Sequence, residues 1–251
     1  MSVIIFGKEY PKDIKDLRFI DKNLDDIPPG IFDCTELETL VLSNNRIAEI
    51  PDDIAKLKKL RRLSLSSNCI KDVPEALCEL QNLDYLDLSQ NSIKSLPDTF
   101  SNLIGLQCIF LNKNYFNEIP LQLYGLPNLF HLSMYNNNIS EIPDTITKLN
   151  RLEYLNLRSN SIKYIDPSIG TLYSMKDMDL SNNNIEYLPI EIANMYKLEI
   201  LKLNNNSIKF VPTTLVNLYR LKWLYLQHNN LQYLVSGMNK MKKLEILNIK
   251  H

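Results

Sequence analysis

A 23-residue repeat runs through this chain without insertion or deletion, and it constrains the fold more than any other feature. Its invariant residue types appear in one unit as Leu37, Leu40, Leu42, Asn45, Ile47, Ile50 and Pro51. Copies start at residues 14, 37, 60, 83, 106, 129, 152, 175, 198, 221 and 244, which makes ten full repeats and a partial eleventh. A unit this short cannot bury its own leucines, so the units are predicted to stack on one another as a solenoid.

The consensus of the unit is LxxLxLxxNxIxxIPxxIxxLxx. Its first segment alternates apolar and variable residues, which is the period-two pattern of a strand with one buried face. Because every repeat enters its strand in the same direction, the strands are predicted to form a parallel sheet. The proline fixes its own φ and lacks an N–H donor, which suits the start of a short turn or helix on the outer side.

An asparagine recurs at the ninth position of the unit. A buried amide without hydrogen bonds costs a few kcal/mol, so these residues are predicted to bond backbone groups in the turns of neighbouring repeats. The asparagine column consists of Asn45, Asn68, Asn91, Asn114, Asn137, Asn160, Asn183, Asn206 and Asn229. A repeated role of this kind is one reason for the high asparagine content of 29 residues.

This pattern resembles the leucine-rich repeat family, in its 23-residue class with an Ile-Pro pair. The resemblance covers about residues 14–251 and implies an α/β leucine-rich-repeat solenoid, a curved horseshoe with a concave parallel sheet. Residues 1–13 depart from the pattern and are expected to form an N-terminal cap on a single repeat domain at 14–251. The family also implies partner recognition, not chemistry, so we expect a protein-binding module.

The variable strand residues, at the third, fifth and seventh positions, are predicted to point onto the concave face. Large aromatic side chains on a rigid surface are typical of binding hot spots, and cross-strand packing that stabilises the sheet is the alternative. The predicted partner-binding residues are Arg62, Tyr85, Asp87, Phe110, Phe130, His131, Tyr135, Tyr154, Arg158, Asp177, Asp179, Trp223 and Tyr225. Within this set, the central aromatic group is Tyr85, Phe110, Phe130, His131, Tyr135 and Tyr154, and the C-terminal aromatic group is Trp223 and Tyr225.

One pair of residues raises the question of catalysis. Cys108 and His131 occupy the third position of adjacent repeats, an arrangement from which a thiolate–imidazole pair could be built. A flat sheet offers no oxyanion site and no lid that excludes water. We therefore predict no enzymatic activity and expect Cys108 to be an accessible thiol. The four cysteines contain no CxxC pair and the histidines do not cluster, so no metal or other cofactor is expected.

The charge balance bears on the kind of partner. The chain has 28 basic and 29 acidic residues, a formal charge of −1. That balance argues against a nucleic-acid partner, which needs a concentrated basic surface. No apolar run approaches the roughly 20 residues that span a bilayer, so membrane insertion is not expected. A mixed rim of charges around the aromatic residues instead favours a folded protein partner.

Three biological contexts are compatible with the sequence. The first is an intracellular scaffold or regulator, similar to Ile-Pro repeat proteins that act around small GTPases. The second is a bacterial effector that binds a host regulatory protein, which the Asn-, Ile-, Lys- and Tyr-rich composition of an AT-rich genome permits. An extracellular receptor fragment is the third, and the missing signal peptide and cysteine-flanked caps argue against it. The expected location is therefore the cytoplasm, or the host cytoplasm after secretion.

Two further expectations concern what lies next to the repeats. The chain could be the substrate-recognition part of a larger enzyme, such as a ubiquitin ligase, whose catalytic domain lies outside this sequence. In addition, the strand at residues 244–249 is predicted to expose an edge over apolar residues. An exposed edge of this kind is a template for association, so either the natural chain continues past it, or the edge pairs with a second copy or a short cap.

Overall fold

A computed structural model describes residues 2–233 and 235–250. These residues form two compact units, an N-terminal unit (residues 2–116 and 120–129) and a C-terminal unit (117–119, 130–233 and 235–250). Both units are built from one motif, in which a three-residue strand is followed by a turn and a short 3₁₀ helix.

The N-terminal unit begins with an antiparallel hairpin that lies within the predicted cap. Its strands are β1 (Ser2–Ile5) and β2 (Lys8–Pro11), and β1 contacts the first 3₁₀ helix. A parallel sheet follows in the order β3 (Asp16–Arg18), β4 (Thr39–Val41), β5 (Arg62–Ser64), β6 (Tyr85–Asp87) and β7 (Cys108–Phe110). The 3₁₀ helices of this unit are η1 (Pro29–Asp33), η2 (Asp52–Lys56), η3 (Glu75–Glu79), η4 (Asp98–Asn102) and η5 (Leu121–Gly125).

The C-terminal unit repeats the same arrangement. Its main parallel sheet has the order β8 (His131–Ser133), β10 (Tyr154–Asn156), β12 (Asp177–Asp179), β13 (Ile200–Lys202), β14 (Trp223–Tyr225) and β15 (Ile246–Asn248). A second, two-stranded parallel sheet joins β9 (Glu141–Ile142) to β11 (Tyr164–Ile165). The 3₁₀ helices here are η6 (Asp144–Lys148), η7 (Pro167–Thr171), η8 (Ile190–Asn194), η9 (Thr213–Asn217) and η10 (Met238–Lys240).

The 23-residue period of the sequence becomes the register of the sheets. Tyr154 pairs with Asp177, which is 23 residues later, and the same offset holds for every parallel strand pair within each main sheet. From β3 to β14, the middle residue of each three-residue strand points into the core. It is fully or almost fully buried at Leu40, Leu63, Leu86, Ile109, Leu132, Leu155, Met178, Leu201 and Leu224. The predicted leucine-rich-repeat fold with a parallel sheet is thus confirmed.

The outer elements are 3₁₀ helices, so the helical part of the expected α/β fold is reduced to a single turn per repeat. In η2, for example, the N–H of Leu57 bonds the carbonyl of Ile54 three residues earlier. The reason is length, because only five residues separate Pro51 from the next buried leucine, and a five-residue helix is too short for a stable α-helical ladder. Prolines precede most of these helices, as the pattern predicts.

The asparagine column forms the predicted ladder. The side-chain amide of Asn68 donates to the carbonyls of Leu42 and Leu65 at 3.0 and 2.9 Å, and its Oδ1 accepts from the N–H of Ile47 at 3.0 Å. The amide therefore joins two consecutive repeats. Matching bonds recur at Asn45, Asn91, Asn114, Asn160, Asn183, Asn206 and Asn229.

The eighth position of the unit has a left-handed backbone, which the consensus did not predict. Its φ lies between 52° and 58° in ten consecutive repeats, at Asp21, Asn44, Ser67, Gln90, Lys113, Asn136, Ser159, Asn182, Asn205 and His228. None of these residues is glycine, and asparagine is the residue besides glycine that best tolerates this conformation. Part of the asparagine excess thus belongs to this position and not to the buried ladder.

Candidate partner-binding site

The candidate site lies on the open sheet face, which we define as the side of each main sheet opposite the buried leucines. In β6, Leu86 is buried while Tyr85 and Asp87 on either side are partly exposed. The same alternation holds in β10, where Leu155 lies between Tyr154 and Asn156. The third and fifth positions of the repeat therefore face away from the core, as the sequence predicts.

In the N-terminal unit, three predicted residues form one continuous strip across β5, β6 and β7. The rings of Tyr85 and Phe110 are 5.2 Å apart between centroids and tilted by 41°. The guanidinium carbon of Arg62 lies 4.8 Å from the centroid of the Tyr85 ring, within the range of a cation–π interaction. Burial raises the pKa of Tyr85, and the neighbouring carboxylate of Asp87 adds to this effect, so the tyrosine stays neutral.

Asp87 is partly engaged within its own strand and turn. Its Oδ1 accepts from the backbone N–H of Ser89 at 3.0 Å and from the Ser89 hydroxyl. These bonds orient the carboxylate and stabilise the turn that follows β6. They also leave Oδ2 as the oxygen through which Asp87 could reach a partner.

In the C-terminal unit, Tyr154 is the centre of a compact aromatic cluster. The ring of His131 stacks on it at 5.4 Å and 26°, and Phe130 packs edge-on at 6.4 Å and 67°. Such pairs add to stability and give a rigid surface with little rotamer freedom to lose on binding. Tyr135 is half-buried on the same face, and Arg158 is exposed.

The acidic residues beyond this cluster differ from one another in accessibility. Asp179 is only 7% exposed, and its carboxylate accepts from the Ser181 N–H and hydroxyl and lies 3.4 Å from the ammonium of Lys202. Asp179 therefore stabilises the sheet face more than it offers a free carboxylate. Asp177 is half-buried, and burial raises the pKa of its carboxyl, against the opposing effect of Lys202. Lys202 itself was not among the predicted residues, although its fifth position in the repeat identifies it.

The C-terminal aromatic group lies in an apolar row. Trp223 is 37% exposed, and its indole N–H donates to Glu245 at 3.3 Å. Its register neighbours on the adjacent strands are Ile200 and Ile246. Tyr225 lies two residues further along β14 and is half-buried. The row thus offers a partner aromatic and aliphatic surface together.

The sequence predicts that Cys108 is an accessible thiol, but Cys108 is less exposed than Cys69. Cys69 is exposed, Cys108 is half-buried, and Cys34 and Cys78 are buried. Burial raises the pKa of the Cys108 thiol, and burial lowers the pKa of His131. Both shifts disfavour the thiolate and imidazolium that a nucleophilic pair requires. The described residues also hold no group of three or more His, Cys, Asp or Glu side chains placed to bind a metal ion.

Exposed aromatic residues also lie outside the open sheet face, at positions that the repeat consensus does not single out. At the thirteenth position of the repeat they are Tyr164, Tyr187, Phe210 and Tyr233, and at the twenty-second position they are Tyr173, Tyr196 and Tyr219. All seven belong to the C-terminal unit. A comparison of these two positions along the repeats would have revealed them, because most of the other repeats carry charged or small polar residues there.

The matches to known families agree with the observed fold. A family model described as leucine rich repeat matches residues 21–70, 35–93 and 120–162, and a leucine-rich repeat region model matches residues 163–251. The chain therefore belongs to the leucine-rich repeat proteins, a class whose fold widely serves as a protein–protein interaction module. No curated protein sequence matches this chain.

Several solved structures are similar to this one. A leucine-rich repeat protein of Leptospira interrogans is 27% identical with a TM-score of 0.87, over 96% of this chain and 67% of that one. A TDR receptor is 26% identical with a TM-score of 0.78, over 87% of this chain and 40% of the receptor. TLR13, solved with ssRNA13, is 25% identical with a TM-score of 0.79, over 93% of this chain and 36% of that one. This chain thus spans well under half the length of the two receptors.

The described residues contain no helix with the length and apolar character that a bilayer crossing requires.

Proposed function

We propose that this protein binds a partner protein through the open sheet face, which we expect to be concave. The observation that carries the proposal is the packing of aromatic side chains on that face, above all His131 and Phe130 against Tyr154. These rings are held by a sheet whose strands are anchored by the asparagine ladder, so they are preorganised. Partly exposed, preorganised aromatic residues lose little entropy on binding and form effective hot spots.

The charges around the aromatic residues favour a folded protein over a polyanion. Arg62 and Arg158 are exposed. Asp177 lies at the third position of its repeat, and Asp179 and Lys202, which form an ion pair, lie at the fifth position. Neither positive nor negative charge dominates, which is typical of the polar rim of a protein–protein interface. TLR13 was solved with single-stranded RNA, but a chain with a formal charge of −1 and this mixed face lacks the basic surface that RNA requires. We therefore keep the prediction that no nucleic acid binds.

For the biological context, we favour an intracellular scaffold or regulator of the 23-residue Ile-Pro type. A small GTPase is then the first partner to test. A bacterial effector that binds a host regulatory protein is the second context, supported by the composition and by the similarity to the Leptospira interrogans protein. Both place the protein in a cytoplasm. A role as the substrate-recognition part of a larger enzyme would use the same face, and a catalytic domain in the full gene product would support it.

The partner site can be tested by placing charge among the aromatic residues. We expect Phe110→Glu together with Tyr154→Glu to abolish capture of the partner from lysate, with a lower melting temperature but a cooperative melting transition, because the lost ring pairs add to stability. The matched control is Tyr115→Glu, because Tyr115 is 53% exposed and lies at the tenth position, off the open sheet face. Proteins retained by the parent and the control but lost by the double variant are the candidates for binary binding assays. Equal capture by all three proteins would contradict the proposal.

Self-association is a separate proposal for this chain. On β15 and next to it, Ile246, Leu247 and Ile249 are 39%, 36% and 37% exposed. Apolar side chains beside a strand edge favour pairing with a second copy. Light scattering of the parent and of Ile246→Glu tests the idea, with a smaller mass expected for the variant. A monomeric parent would contradict it.

A further inference from the structure

The C-terminal unit has a groove on the side of the 3₁₀ helices, away from the open sheet face. Its volume is about 710 Å³, and three tyrosines, Tyr173, Tyr196 and Tyr219, line it together with residues of η8 and η9. These tyrosines occupy the twenty-second position of three consecutive repeats and are 49%, 51% and 61% exposed. Contiguous exposed apolar surface of this kind often marks an interaction site.

The groove presents tyrosine rings and amide side chains. The rings of Tyr173 and Tyr196 stack on each other, with their centroids 6.0 Å apart and their planes at 24°. Asn194 and Asn217, which are exposed and follow each other at the end of η8 and η9, also line the groove. The wall thus combines apolar contact area with several hydrogen-bond donors, all of them on side chains.

The backbone of the groove is already hydrogen-bonded. The N–H groups of Tyr196 and Tyr219 donate to the carbonyls of Asn194 and Asn217 at 2.9 Å each. The carbonyl of Ile190 accepts from the Thr214 hydroxyl at 2.9 Å. A ligand that needs a strand edge finds none here, so β-augmentation does not explain the groove. An amphipathic helix would require an apolar floor, and polar side chains interrupt this one.

We propose that the groove binds a proline-rich segment in the polyproline II conformation. Such a segment has no internal hydrogen bonds, and its backbone carbonyls are free to accept from tyrosine hydroxyls and asparagine amides. It is preformed, so its binding costs little conformational entropy, and aromatic-lined grooves are its usual receptors. At about 3.1 Å per residue, the 6.0 Å step between Tyr173 and Tyr196 corresponds to about two residues, so the three tyrosines would contact a segment of about five or six residues.

The charge of the groove specifies the ligand further. Glu191 is its sole charged lining residue and has no ion pair within the described residues. A free carboxylate beside an aromatic row complements a cationic side chain. The ligand is therefore a proline-rich segment flanked by arginine or lysine. This site is separate from the open sheet face and does not depend on the function proposed for that face.

A labelled peptide tests the proposal directly. The probe is fluorescein-labelled hexaproline with one arginine at each end, titrated into the full chain and followed by fluorescence anisotropy. We expect saturable binding by the parent and at least tenfold weaker binding by Tyr196→Ala. The matched control is Tyr187→Ala, because Tyr187 is 62% exposed in the same unit but lies outside the groove. The affinity of this variant for the peptide should stay within twofold of that of the parent. Melting temperatures of both variants establish that they are folded.

A second comparison isolates the role of charge. The parent should bind the arginine-flanked peptide more tightly than the same hexaproline flanked by glutamate, and Glu191→Gln should lose that preference. Tyr154→Glu, on the open sheet face, should bind the peptide like the parent. The proposal is overturned if a glycine–serine peptide with the same arginines binds as well as hexaproline, or if Tyr196→Ala and Tyr187→Ala behave alike. It is also overturned if the parent shows no binding up to roughly 1 mM peptide, the scale of nonspecific association.

Discussion

The side-chain amide of Asn160 donates to the carbonyl of Met134, 26 residues earlier in the chain, at 3.0 Å. The same residue also donates to its own repeat and accepts from the N–H of Ile139 at 3.0 Å. One side chain thus satisfies backbone groups of two consecutive repeats that the parallel sheet itself does not reach. The ladder therefore supports both the fold and the rigidity of the aromatic face.

Removal of a ladder amide should destabilise the protein. We expect Asn160→Ala to lower the free energy of unfolding by about 1–3 kcal/mol, because it leaves buried backbone groups without partners. Chemical denaturation followed by circular dichroism measures this. The control is Asn184→Ala, since Asn184 is exposed at the tenth position, where a change of no more than about 0.5 kcal/mol is expected. Equal stability of the two variants would show that the ladder is not structural.

The left-handed eighth position should discriminate sharply among residue types. Gln90 has a φ of 55° and is exposed, so its side chain gains little from packing. We expect Gln90→Gly to leave stability unchanged or raise it by up to about 1 kcal/mol, because relief of backbone strain offsets the greater entropy of the unfolded chain. Gln90→Val should cost about 1–2 kcal/mol, since a β-branched side chain fits this conformation poorly.

Lys71 serves as a control for the general effect of glycine on stability. Lys71 is exposed but is not among the residues with positive φ. Lys71→Gly should therefore destabilise slightly, the opposite of the result at Gln90. Thermal melts of Gln90→Gly, Gln90→Val and Lys71→Gly test this prediction. If Gln90→Val has the same melting temperature as the parent, the left-handed assignment is contradicted.

The cysteines should react with a thiol reagent in a defined order. Cys69 is exposed and should label first in the native protein. Cys108 should label more slowly, because it is half-buried and burial raises its pKa, which reduces the thiolate fraction at neutral pH. Cys34 and Cys78 should label only after unfolding. Mass spectrometry of timed samples gives the order, and early labelling of Cys34 would contradict the core packing.

Asp177 should make stability depend on pH. Burial raises the pKa of its carboxyl above the ordinary value of 3.8, so the folded state binds the proton more tightly than the unfolded state does. The ionised carboxylate therefore costs stability at pH 7, and this cost disappears as the pH falls through the folded pKa towards 3.8. We expect Asp177→Asn to melt at a higher temperature than the parent at pH 7 and at nearly the same temperature near pH 4.

Asp16 is a control for the direction of the pH effect on stability. A side-chain hydrogen bond from Arg18 lowers the pKa of Asp16, so its ionised form favours the folded state above the ordinary pKa. Asp16→Asn should therefore have a small effect in the opposite direction, since the pair is exposed. A pH-independent increase for Asp177→Asn would mean that the change acts through packing and not through ionisation.

Much of this fold could be predicted from the sequence because the repeat gives every residue a position in one unit. The leucines that bury, the alternation that makes Tyr85 and Tyr154 face outward, and the bonding of the asparagine column all depend on that position alone. Each follows from local pattern and from the cost of burying an unpaired amide. The family class followed from the same regularity.

The remaining features depend on which particular side chains meet, either two positions apart in one strand and turn or 23 positions apart in neighbouring repeats, and a consensus does not describe those. Asp87 and Asp179 share strand positions with exposed residues, yet hydrogen bonds to Ser89 and Ser181 engage both. The partial burial of Cys108 results from its neighbours in the folded sheet, since its own position in the repeat is one that faces outward. The tertiary structure likewise decided that the eighth position is left-handed and that Tyr173, Tyr196 and Tyr219 line one groove. Sequence periodicity determined which face each side chain takes, whereas its accessibility and hydrogen-bond partners depended on which side chains the stacked repeats brought next to it.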